Sequence, residues 1–269
     1  MTTKQVAVKP TSAVAPLSAN ELSIQTVLSD NSGSGFEEAT LGSFAVPFIS
    51  ILQALSPQCK RKESTYVEGA EEGMFLDSVT GELIDGEKGI NVIPVYFSQR
   101  FIAWGLREKG GGFKGEFAST DPIVGQTTRD DKGRDIINSR PDEQLVDTRV
   151  HYVLLQSEEG WNPAVIGLSS TQVKKSKQWM SRMQQIRVLN ANNALVPAPM
   201  FSRMWNLTSI PEGNDKGTWM GYKIGAATPI TDLNLLHMAM QLKESVQEGT
   251  AKASYQEPTD STKDAAQFD

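Results

Sequence analysis

The clearest pattern along the chain is the two-residue alternation of apolar and polar side chains that is typical of β-strands. It extends through a long run from 90 to 106 and returns in three pairs of shorter runs, each separated by a polar turn that contains glycine. The pairs are 74–76 with 82–84, 149–156 with 164–169, and 200–208 with 218–224. Each pair predicts a β-hairpin.

A helical period appears in three places. Ser and Thr at 169–171 predict the start of a helix over 172–188, and a second helix is predicted over 232–247, ended by Gly249. A capping box at 18–21 predicts a shorter helix through Leu28. In the helix over 172–188, one apolar stripe consists of Val173, Trp179, Met180, Met183 and Ile186. This stripe predicts that Trp179 lies in the core rather than on a ligand.

Hairpins combined with a few helices predict a β-rich α+β protein, built as a small barrel or sandwich with helical additions. Composition divides the chain into three parts. Residues 1–35 predict a disordered N-terminal arm, 36–249 a single β-rich domain that ends in a helix, and 250–269 a disordered acidic tail.

Charge and composition narrow the functional classes. The chain of 269 residues has a net charge of -6 and one cysteine, Cys59, which excludes an intrachain disulfide. It contains no run of about 20 apolar residues and no apolar leader at its start, so we expect a cytoplasmic protein with no membrane partner. If the gene belongs to a phage, the compartment is the cytoplasm of the host cell.

Residues that enzymes use are sparse. His151 and His237 are far apart in sequence, and no zinc, phosphate-loop, dinucleotide or nucleophile-elbow motif is present. We therefore expect a non-catalytic protein without a cofactor or metal. Eight acidic residues between 63 and 87 could bind Mg²⁺, which leaves a metal-dependent DNA enzyme as an alternative.

Cations interleave with aromatic residues on the predicted strand faces, a combination that stacks bases and neutralises phosphates. Alternation places Tyr96, Arg100 and Trp104 on one face of the long strand, opposite a core face of Ile93, Val95, Phe97 and Phe101. We predict that the first three belong to a binding face, so that replacing Trp104 by alanine weakens DNA binding with little effect on stability. The same pattern recurs in two further sets: Phe201, Arg203 and Trp205 on one strand, and Trp219 and Lys223 on its partner.

Two further segments carry positive charge. The glycine-rich segment 107–117 places Arg107, Lys109, Phe113 and Lys114 where a loop could close over a single strand. Between 174 and 223 there are eight basic residues and two acidic ones, so this region is locally positive within an acidic chain. Its helix contributes Lys174, Lys175, Lys177 and Arg182. These residues predict one phosphate-binding side.

The C-terminal tail is acidic and ends in Phe268 and Asp269. It resembles the tails of bacterial and bacteriophage single-stranded DNA-binding proteins. The resemblance implies that the tail binds replication or recombination proteins through Phe268 and Asp269 and competes with DNA for a basic groove.

The core also resembles a bacteriophage family of single-stranded DNA-binding proteins, in the segments 47–58, 73–82, 169–175 and 214–219. This resemblance implies an OB-type barrel and sequence-tolerant binding of single-stranded DNA in replication or recombination. The alternatives are the metal-dependent DNA enzyme and a virion or other phage structural protein, whose aromatic faces would be subunit interfaces. The sequence leaves the oligomeric state open.

Overall fold

The computed structural model describes residues 19–39, 41–109, 111–215, 217–251 and 253. The chain divides into two compact units, 1–39 and 40–269. In the first unit, helix α1 (Ala19–Asp30) is the short helix predicted from the capping box, followed by turns. Within the described residues, the strands and two further α-helices belong to the second unit.

Thirteen strands form in the described part of the second unit. They are β1 (Ile49–Ile51), β2 (Phe75–Asp77), β3 (Leu83–Ile84), β4 (Ile90–Gly105), β5 (Phe113–Ala118), β6 (Thr127–Arg129), β7 (Asp135–Ile137), β8 (Arg140–Ser157), β9 (Gly160–Ser169), β10 (Arg187–Leu189), β11 (Leu195–Pro197), β12 (Arg203–Asn214) and β13 (Gly217–Pro229). The long strand and all three predicted hairpins are confirmed, as β4, β2–β3, β8–β9 and β12–β13.

The main sheet has the strand order β13-β12-β4-β8-β7-β6 and is antiparallel throughout. Strands β4 and β8 form a long ribbon with two partners on each outer edge. The start of β4 pairs with β12 and its end with β5, while the end of β8 pairs with β9 and its start with β7. The ribbon therefore spans two lobes, and β12, β13 and β9 belong to one of them.

The strands do not close into a barrel. Phe48, the residue before β1, forms an isolated parallel bridge with Val165 of β9. Gln53, two residues after β1, contacts β13 through its side-chain amide, which accepts from the Met220 N–H at 2.8 Å and donates to the Met220 C=O at 3.0 Å. Because no continuous backbone ladder forms at this seam, the β-rich prediction is confirmed and the OB-type barrel is not.

Two apolar clusters fill opposite faces of this lobe. Helix α2 (Val173–Gln184) buries Trp179 and Met183 in the first cluster, together with Trp205 and Tyr222. The stripe predicted to place Trp179 in the core is thus confirmed. Helix α3 (Leu233–Gln247) buries Leu235, Ala239 and Leu242 in the second cluster. Asp232 caps α3 by accepting a hydrogen bond from the Asn234 N–H at 2.9 Å.

Packing continues beyond α3 towards the C-terminus. Ala251 is buried in the second cluster, and Ala253 forms a parallel bridge with Val46. The described packing therefore extends to Ala251 and Ala253. Among the helices of the described residues, none has the length and apolar character to cross a lipid bilayer.

Candidate nucleic-acid interface

The outer edge of β13 is covered by side chains of helix α2 and the turn before it. Gln172 accepts a hydrogen bond from the Tyr222 N–H at 3.1 Å, and Lys175 donates to the Tyr222 carbonyl at 2.5 Å. Two turns further along α2, Arg182 donates to the carbonyls of Ile224 and Gly225 at 3.0 and 2.5 Å. These bonds satisfy backbone groups that an exposed edge strand would otherwise present to another chain. They also fix α2 alongside β13.

A groove of about 660 Å³ lies between α2 and β13. We call it the basic groove, because its described lining contains five basic residues and no acidic one. The five are Lys174, Lys175, Lys177, Arg182 and Lys223. They come from two segments more than 40 residues apart in sequence, and the fold brings them together around one concavity. Such a site concentrates positive potential within a chain of net charge -6.

The five cations differ in how they are held. Lys175 forms an ion pair with Glu212, and the Glu212 carboxylate also accepts a hydrogen bond from the Trp219 indole N–H at 3.3 Å. The Arg182 guanidinium lies 4.7 Å from the centre of the Trp205 ring. These two cations therefore hold the groove walls in place.

The other three cations of the basic groove are Lys174, Lys177 and Lys223. They are exposed, and no described residue forms a hydrogen bond or ion pair with any of the three. They are the side chains best placed to meet phosphate groups.

An aromatic cluster supports the groove from below. His151 is fully buried and stacks on Trp179 with ring centres 4.8 Å apart, and its Nε2 lies 2.8 Å from the Ser176 hydroxyl of α2. Burial, with a smaller contribution from Arg149, lowers the pKa of His151 to about 3, so the ring is neutral.

Tyr222 completes this support. Its hydroxyl donates to the Ile49 carbonyl at 2.8 Å, and burial raises the pKa of Tyr222 above its ordinary value. The tyrosine therefore stays neutral and links β13 to β1.

Two tryptophans expected to stack on bases are buried instead. Trp205 is 1 % exposed, packed edge-on against Trp179, and belongs to the first core cluster. Trp104 is 7 % exposed, packs with Ile102 and Val146, and meets Phe113 edge-on. The prediction that these rings are open on a binding face is wrong, because Trp179 of α2 packs against Trp205, and Ile102, Val146 and Phe113 pack around Trp104.

Phe201, Arg203 and Trp205 were predicted to share one strand face, and they do not. Phe201 lies in a 3₁₀ turn (Met200–Ser202) before β12 and packs against the second core cluster, whereas Trp205 packs in the first. Arg203 is half-buried and donates to the Ser202 carbonyl at 3.1 Å. Phe201 and Arg203 are therefore absent from the described lining of the basic groove.

A β-bulge changes the faces of β4. The register with β8 shifts between Pro94 and Tyr96, and Tyr96 joins Ile93 and Val95 against the second core cluster. The expected separation of Tyr96 from Ile93 and Val95 is therefore wrong. Arg100 forms an ion pair with Glu116 of β5 at 2.8 Å.

The residues predicted to form a closing loop lie at the far end of the β4–β5 hairpin. Arg107 and Lys109 belong to a 3₁₀ turn, and Phe113 and Lys114 begin β5. Lys109 lies 3.6 Å from Asp142, and Phe113 is 38 % exposed against Trp104.

This hairpin end is distant from the basic groove along the ribbon. Trp104 is roughly 40 Å along β4 from Val92, the residue that pairs with Trp205 of β12, at ~3.3 Å per residue. Of the predicted site residues, the basic groove brings together Lys174, Lys175, Lys177, Arg182 and Lys223, and the residues at the end of the β4–β5 hairpin lie apart from it.

The remaining predicted sites lie elsewhere. No cluster of His, Cys, Asp and Glu suited to a metal ion occurs in the part of the chain that the structure describes. Phe268 and Asp269 lie outside the described residues. Sequence reasoning missed Gln172 and Glu212, which position Lys175 and Trp219. Glu212 is one of only two acids between 174 and 223, and an isolated acid in a basic region predicts an internal ion pair.

Comparison with known proteins assigns most of the chain. A family model described as "Pam3 phage gp34-like protein" matches residues 19–252, beginning at the first residue of α1. This match indicates a phage protein. Searches of curated proteins and of solved structures each returned no match.

Proposed function

We propose that this chain, which belongs to the Pam3 phage gp34-like protein family, binds single-stranded DNA with little sequence preference and without catalysis, in phage replication or recombination. The observation that supports the proposal is the basic groove, where five cations converge and the described lining carries no acid. A positively charged groove that follows the phosphate backbone is the common element of sequence-tolerant single-strand binding.

The aromatic ring proposed to stack on bases is Trp219 of β13. Trp219 lies two alternations from Lys223 along β13, within an unbroken register, so both side chains project from one face of the strand. Trp219 is half-buried, and its indole bonds the carboxylate that pairs with Lys175. We therefore propose Trp219, in place of Trp104 and Trp205, as the ring that meets bases.

An OB-type barrel is not required for this function. The groove is built from a helix held against an edge strand by Lys175 and Arg182, and its charge does not depend on how the sheet ends elsewhere. The charge of the three exposed lysines therefore does not depend on a backbone ladder between β1 and β13.

We expect replacement of Lys174, Lys177 and Lys223 by glutamine to weaken binding of labelled oligo-dT by about tenfold or more. Each lost phosphate contact removes the release of a bound counterion, and the slope of log K against log salt should fall by ~0.7 per contact on single strands. Fluorescence anisotropy at two salt concentrations, with oligo-dT and with duplex DNA of equal length, measures both quantities. Wild type should prefer the single strand.

The matched control is glutamine at the exposed residues Lys60, Arg61 and Lys62, which removes the same charge outside the groove. An equal loss in both triple variants would mean that net charge, not the groove, sets affinity. Equal binding of duplex and single strand would contradict the function. No binding to either at low salt would instead favour a virion protein, and Mg²⁺-dependent cleavage would favour an enzyme.

We also propose that the acidic C-terminal tail competes with DNA for the basic groove and carries the partner contact of Phe268 and Asp269. Removal of residues 254–269 should leave the melting curve unchanged and tighten DNA binding at low salt, because carboxylates no longer screen the lysines. Removal from 250, the boundary predicted from composition, should lower the melting temperature, because it deletes buried Ala251 and the Ala253 bridge. Unchanged low-salt affinity after removal of 254–269 would refute competition.

A further inference from the structure

A second cavity, of about 690 Å³, lies away from the basic groove. We call it the acidic pocket. Its floor is apolar and includes the buried side chains of Val46, Leu155, Leu242 and Ala251. At its mouth Phe44 and Val79 are 51 % and 44 % exposed. An apolar floor with exposed apolar residues at the mouth fits the side chains of a peptide segment.

The rim of the acidic pocket carries charge of one sign. Its described lining contains four acidic residues and no basic one: Asp77, Glu82, Glu158 and Glu159. Glu158 and Glu159 form the exposed β8–β9 turn, and no described residue forms an ion pair with either. The pocket therefore selects an apolar segment that carries positive charge and repels an acidic one.

The two terminal segments of this chain differ in the sign of their charge. Residues 254–269, which continue from the bridge beside the pocket, contain four acids and one lysine. Residues 1–18 contain Lys4 and Lys9, no acid, and eight apolar residues. Charge complementarity thus favours residues 1–18, which we call the arm, and disfavours the tail.

We propose that the acidic pocket binds the arm of a second copy of this chain. Helix α1 follows the arm and has 12 residues, or about 18 Å. The 18 residues of the arm can extend up to roughly 60 Å, which is long enough to reach a neighbouring copy. Arm and pocket are different surfaces, so the contact is heterologous and links copies into open chains or rings.

Sedimentation velocity of the full chain without DNA tests this contact independently of the proposed DNA binding. Wild type should associate more as its concentration rises and less as salt rises. Charge reversal in the pocket (Glu158→Lys with Glu159→Lys) or in the arm (Lys4→Glu with Lys9→Glu) should weaken association at least about tenfold, because like charges then face each other. Mixing the two reversed proteins should restore it, which also shows that both variants fold.

The matched control reverses Glu71 and Glu72, two adjacent exposed acids outside the pocket lining, and should associate like wild type. A wild type that stays monomeric at every concentration would overturn the proposal. So would association that neither pair of reversals changes, or that the mixture fails to restore. Direct binding of a labelled peptide of residues 1–18 to wild type, lost in the pocket variant, would support it.

Discussion

Replacement of Trp205 by alanine is expected to lower the free energy of unfolding by about 3–5 kcal/mol, the usual cost of truncating a buried tryptophan. The ring is 1 % exposed and meets Trp179 edge-on at 6.1 Å between centres. It also lies beneath the Arg182 guanidinium at 4.7 Å. Truncation leaves a cavity under α2 and removes the surface on which Arg182 rests.

Urea denaturation at constant pH measures the loss, and Trp219→Ala serves as the control. Trp219 is half-buried and lies outside the core clusters, so its truncation should cost clearly less than that of Trp205. The affinity for DNA is a second measurement that distinguishes the two variants. Trp219→Ala should weaken binding of oligo-dT by ~1–3 kcal/mol through lost stacking. Equal stability of the two variants would contradict the core position of Trp205.

The periodic pattern of apolar residues predicted those helices and strands whose buried residues recur at regular spacing within one segment. The stripe from Val173 to Ile186 placed Trp179 correctly, because a helix against a sheet buries the residues that recur at helical spacing. The three hairpins were predictable because polar turns with glycine interrupt the apolar alternation. β5 was not predicted, since its residues are mostly exposed and Gly115 interrupts the pattern.

Which side of a strand is covered could not be predicted in the same way. The bulge beside Pro94 shifts Tyr96 onto the face of Ile93. Proline has no N–H for the ladder and within a central strand occurs mainly at bulges, but strict alternation took no account of it. Trp104 and Trp205 are buried, because Val146 and Phe113 pack against the first ring and Trp179 of α2 packs against the second. Burial of this kind depends on contacts between distant segments, which alternation does not contain.

The candidate site was predictable in part for the same reason. The local charge excess between 174 and 223 located the basic helix, and the groove then joined Lys223 to it. The sequence did not show that Lys175 and Arg182 would bond the edge of β13 while Lys174 and Lys177 stayed exposed. That division follows from the position of α2 beside a strand 40 residues later in the chain.

Acidification should destabilise this protein through His151. The pKa of His151 is lowered to about 3 in the folded chain, against 6.5 for an ordinary histidine. Above pH 6.5 both states are neutral, and the histidine's contribution to stability is fully present. As pH falls from 6.5 towards 3, the unfolded chain binds a proton that the folded chain does not. The free energy of unfolding then falls by about 1.4 kcal/mol per pH unit, or about 4–5 kcal/mol in total.

The substitution His151→Gln isolates this effect, because glutamine can still bond the Ser176 hydroxyl but cannot take up a proton in this range. The variant should be less stable at pH 7.5, where it loses the stacking on Trp179, and should lose less stability than wild type between pH 6.5 and 4. Carboxylates titrate in both proteins, so the difference between their slopes belongs to His151. Parallel slopes for wild type and His151→Gln would mean that the buried ring is protonated as readily as an exposed one. In that case, burial of His151 beneath the groove would not be the cause of the loss of stability in acid.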